Sequence, residues 1–250
     1  MYMRFVQVKV KPEMISEVYE HYDDIVIPTL QKVNGCLYAC LIRSEHHDDE
    51  CISMTLWEDR RDAEAYEQSG VFSELLRQAA PHLADSSEWR IHLSEDLKLE
   101  YEPVPLQPEV NAFDITAEKN SHSVPHGQSL FVRIVSPQIR EGKIDEFRKI
   151  YTEEVLPALR TVPQCRYAYL TENVKERNQL LSVTIWDSHH DAEVYEQSGV
   201  FSALIDRLKH TFSEVYQWKM QLQKEAAGQV VTSQDLSVEG YSVVTGKSFL

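Results

Sequence analysis

An indole and a phenol nine residues apart occur twice in this chain, as Trp57 with Tyr66 and as Trp186 with Tyr195. Each phenol lies in a nearly repeated stretch, DAEAYEQSGVFSELL at 62–76 and DAEVYEQSGVFSALI at 191–205, which also supplies Phe72 and Phe201. Tyr22 and Tyr151 recur upstream at the same separation of 129 residues. Such side chains can fill a core, the commoner role of large aromatics with one polar atom. They can also line a pocket for a flat ring, where a phenol O–H shares a proton with the ligand. For Trp57 and Trp186 packing is the commoner role, whereas Tyr66 and Tyr195 sit beside a Ser-Gly break that could form a pocket mouth.

Other reactive groups point less clearly to chemistry. The four cysteines, Cys36, Cys40, Cys51 and Cys165, form no CxxC pair and read as buried free thiols, with Cys36 and Cys40 expected on one face of a strand. The run EHHDDE at 45–50 carries cation-ligating side chains, but at an expected hairpin tip such composition is normally solvated. His189 and His190 follow Ser188, whose spacing to Asp191 suits a helix cap. The chain holds no GxGxxG, P-loop, nucleophile elbow or HExxH motif. Neither a metal nor an organic cofactor is expected.

A formal charge of −15, from 40 acidic and 25 basic side chains, argues against nucleic acid and anionic membranes as partners. No apolar run approaches the roughly 18 residues of a membrane span, and the N-terminus lacks the apolar core of a secretion signal. A cytoplasmic protein is expected.

The elements that must position the aromatics follow from periodicity. Residues 3–10 alternate as a strand, and 13–33 place Ile15, Val18, Tyr19, Tyr22, Val26 and Leu30 at helical spacing, with Pro28 ending or kinking that helix late. Residues 36–43 and 51–57 form a hairpin around a polar loop. A second helix opens at Asp59 or Arg60, breaks at Ser69-Gly70 and resumes, and 88–97 alternate as a final strand. The order is βαββαβ, the ferredoxin-like split arrangement, with both helices on one face of the sheet. The same order returns in the second copy, where RFVQVKV faces LFVRIVS after three extra residues in that copy. The expected architecture is α+β: repeats at 1–100 and 129–224 packed sheet to sheet as an intramolecular barrel, a Pro-rich linker at 101–128 and a tail at 225–250. Such a pseudo-dimer is expected as a monomer, or as a higher homo-oligomer built through helices, linker or tail.

The stretches WEDRRDAEAYEQSGVF and WDSHHDAEVYEQSGVF, with IPTLQKVNGC upstream, resemble the antibiotic biosynthesis monooxygenase (ABM) domain of the dimeric α/β barrel superfamily. The resemblance implies the fold just described and several activities, since that family includes cofactor-independent oxygenases, haem-degrading enzymes and isomerases. At the positions matched to the haem-degrading branch, Trp57 and Trp186 are retained. Leu76 and Ile205 stand in place of the iron-ligating His, and Lys9 and Val135 in place of an Asn, which argues against haem degradation; His82 and His210 lie nearby, but not at matching positions. The cofactor-free branch needs only a pocket that binds a flat ring, shares its proton and excludes water.

The leading expectation is therefore a cofactor-independent monooxygenase acting on a small aromatic or quinol-like molecule. Tyr66, Tyr195, Trp57 and Trp186 are the candidate catalytic residues, and Tyr22, Tyr151, Phe72 and Phe201 the candidate substrate contacts. Two rivals stand beside it: a non-catalytic small-molecule binding or stress-associated module, and a pseudo-dimer in which one copy has lost its pocket.

Overall fold

A computed structural model describes residues 1–93, 99–105, 109–119, 130–175, 179–213 and 236–249. The first half runs β1 (Tyr2–Lys9), α1 (Ile15–His21), a π-turn (Tyr22–Val26), α2 (Ile27–Leu30), β2 (Cys36–Ser44), β3 (Glu50–Trp57), α3 (Arg60–Gln68), α4 (Val71–Ala79) and β4 (Asp85–Leu93). Two further strands, β5 (Leu99–Pro105) and β6 (Glu109–Glu118), precede the second half. That half runs β7 (Phe131–Pro137), α5 (Ile144–Ile150), a π-turn (Tyr151–Val155), α6 (Leu156–Arg160), β8 (Cys165–Asn173), β9 (Leu180–Trp186), α7 (His189–Gln197), α8 (Val200–Leu208) and finally β10 (Leu236–Ser248). Among the described residues no helix is long and apolar enough to cross a membrane.

Eight strands close a barrel in the order β1-β3-β2-β10-β7-β9-β8-β6, β6 returning to pair with β1. It comprises two four-stranded ferredoxin-like sheets, β6-β1-β3-β2 and β10-β7-β9-β8, joined edge to edge. The fourth strand of each sheet comes from further along the chain than periodicity indicates. Residues 88–97 were the expected fourth strand, but β4 pairs with β5 in a separate hairpin, and the place beside β1 belongs to β6, from the expected linker. Proline does not separate the two, since 85–93 and 109–118 are both free of it; Pro103 and Pro105 fall in β5, in the two-stranded hairpin, where strand edges tolerate them. In the second half β10, from the expected tail, takes the corresponding place beside β7. Residues 214–224, the end of the second expected repeat, lie outside the described residues.

Alternation divides each strand between two environments. Met3, Phe5, Ile52, Met54 and Leu56 point into the barrel and meet Val132, Ile134, Val183 and Ile185 from the other half in one core. Their neighbours Arg4, Val6, Ser53 and Thr55 face the helices instead. A bulge between Cys36 and Tyr38 shifts this pattern, so Cys36 packs under the helices while Cys40 lies inside the barrel. The single-face placement expected for these thiols is thus corrected. All four cysteines are free and buried.

The helices carry two local devices. Pro28 neither ends nor sharply breaks the first helix. In the π-turn before it the Ile27 N–H reaches back to the Tyr22 carbonyl, which gives room for a residue without an N–H, and α2 continues to Leu30. Pro157 has the same solution, with Leu156 donating to Tyr151. At the second device the Ser69 hydroxyl donates to the Tyr66 carbonyl at 2.7 Å and accepts from the Val71 N–H at 3.3 Å. Gly70 then takes the left-handed φ of 82° that turns α3 into α4.

Candidate functional site

Between sheet and helices each half encloses a cavity. In the first half the floor is Arg4, Val6 and Val8 of β1 with Ser53 and Thr55 of β3, one wall is Val18, His21 and Tyr22, and the other is Tyr66, Phe72, Leu75 and Leu76. The second half repeats this with Arg133, Val135, Ser182, Thr184, Tyr151, Tyr195, Phe201 and Ile205. The cavities differ in size, about 90 Å³ in the first half and about 40 Å³ in the second. Three exchanges explain the difference: Val18, Ala79 and Leu83 around the first cavity become Phe147, Leu208 and Phe212 around the second.

The polar groups are few and fixed. Arg4 is 3% exposed, pairs with Glu67 at 2.5 Å, and holds its guanidinium 4.0 Å from the Phe72 ring centroid and 5.7 Å from that of Tyr66. Its Nε is buried and has no hydrogen-bond partner among the described residues. Arg133 pairs with Glu196 and lies 4.2 Å over Phe201. Tyr22 shares a hydrogen bond of 2.9 Å with Ser53, and Tyr151 one of 2.7 Å with Ser182. Burial raises the pKa of the Tyr22, Tyr66, Tyr151 and Tyr195 phenols, so all four stay protonated near neutrality. In Tyr66 and Tyr195 the nearby Arg4 and Arg133 oppose that shift without reversing it.

His21 belongs to the first cavity alone, its place in the second half being Ile150. Its Nε2 is buried and has no hydrogen-bond partner among the described residues, and its ring centroid lies 5.9 Å from that of His82. Burial, and then the charge on His82, lower its pKa.

Of the candidates from sequence, Tyr66, Tyr195, Tyr22, Tyr151, Phe72 and Phe201 all line the cavities. Trp57 and Trp186 stand behind them, each 0% exposed, with the indole N–H donating 2.8 Å to Thr55 or Thr184 and the ring stacked on Tyr66 at 5.2 Å or Tyr195 at 4.9 Å. Leu76 and Ile205 line the cavities as apolar wall. Pairing RFVQVKV with LFVRIVS sets the first strands three residues out of step and hides the equivalence of Arg4 and Arg133. Arg4 pairs opposite Thr55 and Arg133 opposite Thr184, so no insertion separates the copies. Val135 therefore corresponds to Val6 and not to Lys9, which pairs with Asp49 at the surface. One signal was available: with period two, Arg4 shares its face with Val6 and Val8.

The loop at 45–50 is organised by the Ser44 hydroxyl, which accepts from the His46 and His47 N–H groups. Among the described residues no three His, Cys, Asp or Glu side chains are grouped to hold a metal ion. Ser188 caps α7 as its spacing suggests, accepting from the Asp191 N–H.

A family model described as antibiotic biosynthesis monooxygenase matches residues 1–78 and 130–207. No curated protein sequence matches the chain. Among solved structures, a provisionally named monooxygenase of Fusobacterium nucleatum subsp. nucleatum superposes with a TM-score of 0.69 at 11% identity, covering 99% of this chain and 94% of the other. One of the same provisional name from Lactobacillus acidophilus gives 0.63 at 7% identity over 99% and 96%. An anthrone oxidase-like protein gives 0.58 at 12% identity over 99% and 93%. At these identities the likeness is one of fold.

Proposed function

Because this chain belongs to the antibiotic biosynthesis monooxygenase family, matched over both halves, we propose that it oxygenates a small phenol or hydroquinone, without a cofactor, in the cavity of its first half. The observation that carries this reading is the buried guanidinium of Arg4, its Nε without a partner among the described residues, in a cavity walled mostly by aliphatic and aromatic side chains. An apolar wall binds a flat ring and excludes water. A fixed cation in that low-dielectric space stabilises the phenolate, which reacts with dioxygen, and the negative charge that then develops on oxygen.

For a hydroquinone the reaction balances as hydroquinone plus dioxygen giving hydroxyquinone plus water. One oxygen atom enters the ring, the other leaves as water, and the ring supplies all four electrons. Tyr22, held by Ser53, and Tyr66 are protonated phenols and donate hydrogen bonds to the bound ring's oxygens. Size narrows the substrate: a cavity of ~150 Å³ takes up benzene, so about 90 Å³ leaves no room for fused rings. Oxygen uptake with a panel of one-ring hydroquinones, followed by mass analysis after reaction in ¹⁸O-labelled dioxygen, tests the reading. One labelled atom per product molecule is expected; uptake no faster than autoxidation in buffer would refute it.

A further inference from the structure

We propose that His21 accepts the hydroxyl proton of the ring bound in the first cavity, and that the second cavity has neither the acceptor nor the room to take part. This rests on the reading of the first cavity as a site for a phenol or hydroquinone. The argument proceeds by elimination over the lining residues. A proton acceptor near neutral pH must be an unprotonated base, and the ionisable or hydroxylic groups lining the first cavity are Arg4, His21, Tyr22, Ser53, Thr55 and Tyr66. Arg4 is a permanent cation. The two phenols keep their protons, and Ser53 and Thr55 are already engaged with Tyr22 and Trp57. Glu67 does not line the cavity and is already paired with Arg4.

His21 meets the requirement on geometry. It lines the cavity, its Nε2 is buried, and among the described residues no group donates to or accepts from that atom. His82, 5.9 Å away, makes a positive charge there unwelcome until a proton arrives together with a new negative charge on the ring. In the step itself the ring's O–H bond breaks and its proton forms a bond to His21 Nε2. The electron pair stays on the ring oxygen as phenolate, and the imidazolium and Arg4 flank it. In the second half Ile150 replaces His21 and Thr211 replaces His82, leaving Arg133, Tyr151 and Tyr195 as the ionisable lining groups, none of which accepts a proton. Phe147, Leu208 and Phe212 fill the space as well.

The second half also supplies substitutions that this framework is known to accommodate. The full-length protein is titrated with 4-nitrophenol, colourless as phenol and yellow as phenolate, at a pH where the free compound is mostly protonated, with calorimetry and visible absorbance read together. One equivalent should bind per chain and turn yellow. His21→Ile should bind at least about threefold more weakly and remain colourless, and Val18→Phe combined with Ala79→Leu should bind none. Two equivalents per chain, a yellow complex in His21→Ile, full binding by the filled variant, or no binding to the wild type would each overturn the proposal. If the expected pattern appears in a protein that takes up no oxygen, the proton acceptor stands and the monooxygenase reading falls.

Discussion

The guanidinium of Arg4 lies 4.0 Å over the ring of Phe72, so that a buried cation, an aromatic face and the Glu67 carboxylate form one assembly between β1 and the α3–α4 bend. Its two partners make unequal contributions, because Arg4 is 3% exposed and Glu67 is 44% exposed at the side chain. Removing the carboxylate strands a charge in the interior, whereas removing the guanidinium returns a carboxylate to water. Glu67→Ala is therefore expected to cost about 2 kcal/mol in urea unfolding, reduced from the ~3–5 kcal/mol of a fully buried pair because Glu67 is already half in solvent. Arg4→Met, similar in volume, should cost under about 1 kcal/mol and reduce ring oxidation at least tenfold.

Acid should weaken the fold through His21. Its pKa in the folded protein lies below the ordinary 6.5, so the unfolded chain binds its proton more readily. Its contribution is present above pH 6.5 and is lost as pH falls through the lower, folded value. Unfolding midpoints measured from pH 7.5 to 5 should decline more steeply for wild type than for His21→Ile. His82→Thr, by removing the second cause of the shift, should move the His21 NMR titration upward toward 6.5.

Trp57 separates packing from chemistry. Its indole is fully buried, bonded to Thr55 and stacked behind Tyr66, and it does not line the cavity. Trp57→Phe should lower stability by about 2 kcal/mol, through a lost hydrogen bond and a small void, and leave 4-nitrophenol affinity within about twofold. Phe72→Ala should have the opposite profile, with affinity falling about tenfold for a smaller loss of stability. An affinity loss in Trp57→Phe as large as that in Phe72→Ala would restore the indole as a ligand contact.

Strand β10 closes the barrel by pairing with β2 on one side and β7 on the other, and its Thr245 and Lys247 bond to Asp23 and Gln31 on the first helix and at its end. A chain truncated after residue 235 would expose both strand edges. It should elute by size-exclusion chromatography as a dimer or larger species and lose a single cooperative unfolding transition.

Much of this organisation can be read in the sequence where a local rule operates without competition. The duplicated stretch around Tyr66 and Tyr195 gives the tandem architecture, and Asp59, Ser188 and the Ser-Gly breaks mark helix ends through their own hydrogen bonds. Strand choice is different, because β4 and β6 both alternate and only long-range pairing with β1 selects between them. The bulge at Cys36 is likewise invisible to a strict period of two. The cavity's polar members were hidden for separate reasons: Arg4 by a three-residue misalignment, and His21 because it has no counterpart in the second half.

Joining the halves in one polypeptide has a genetic consequence. In a barrel made of two identical chains, a codon change at the position of Val18 would alter both cavities at once, and a filling phenylalanine would extinguish both sites together. Here Val18 and Phe147 are separate codons. One half can become a rigid buttress that seals the shared core while the other keeps its opening, so a single mutational event can tune the working pocket without any symmetric penalty.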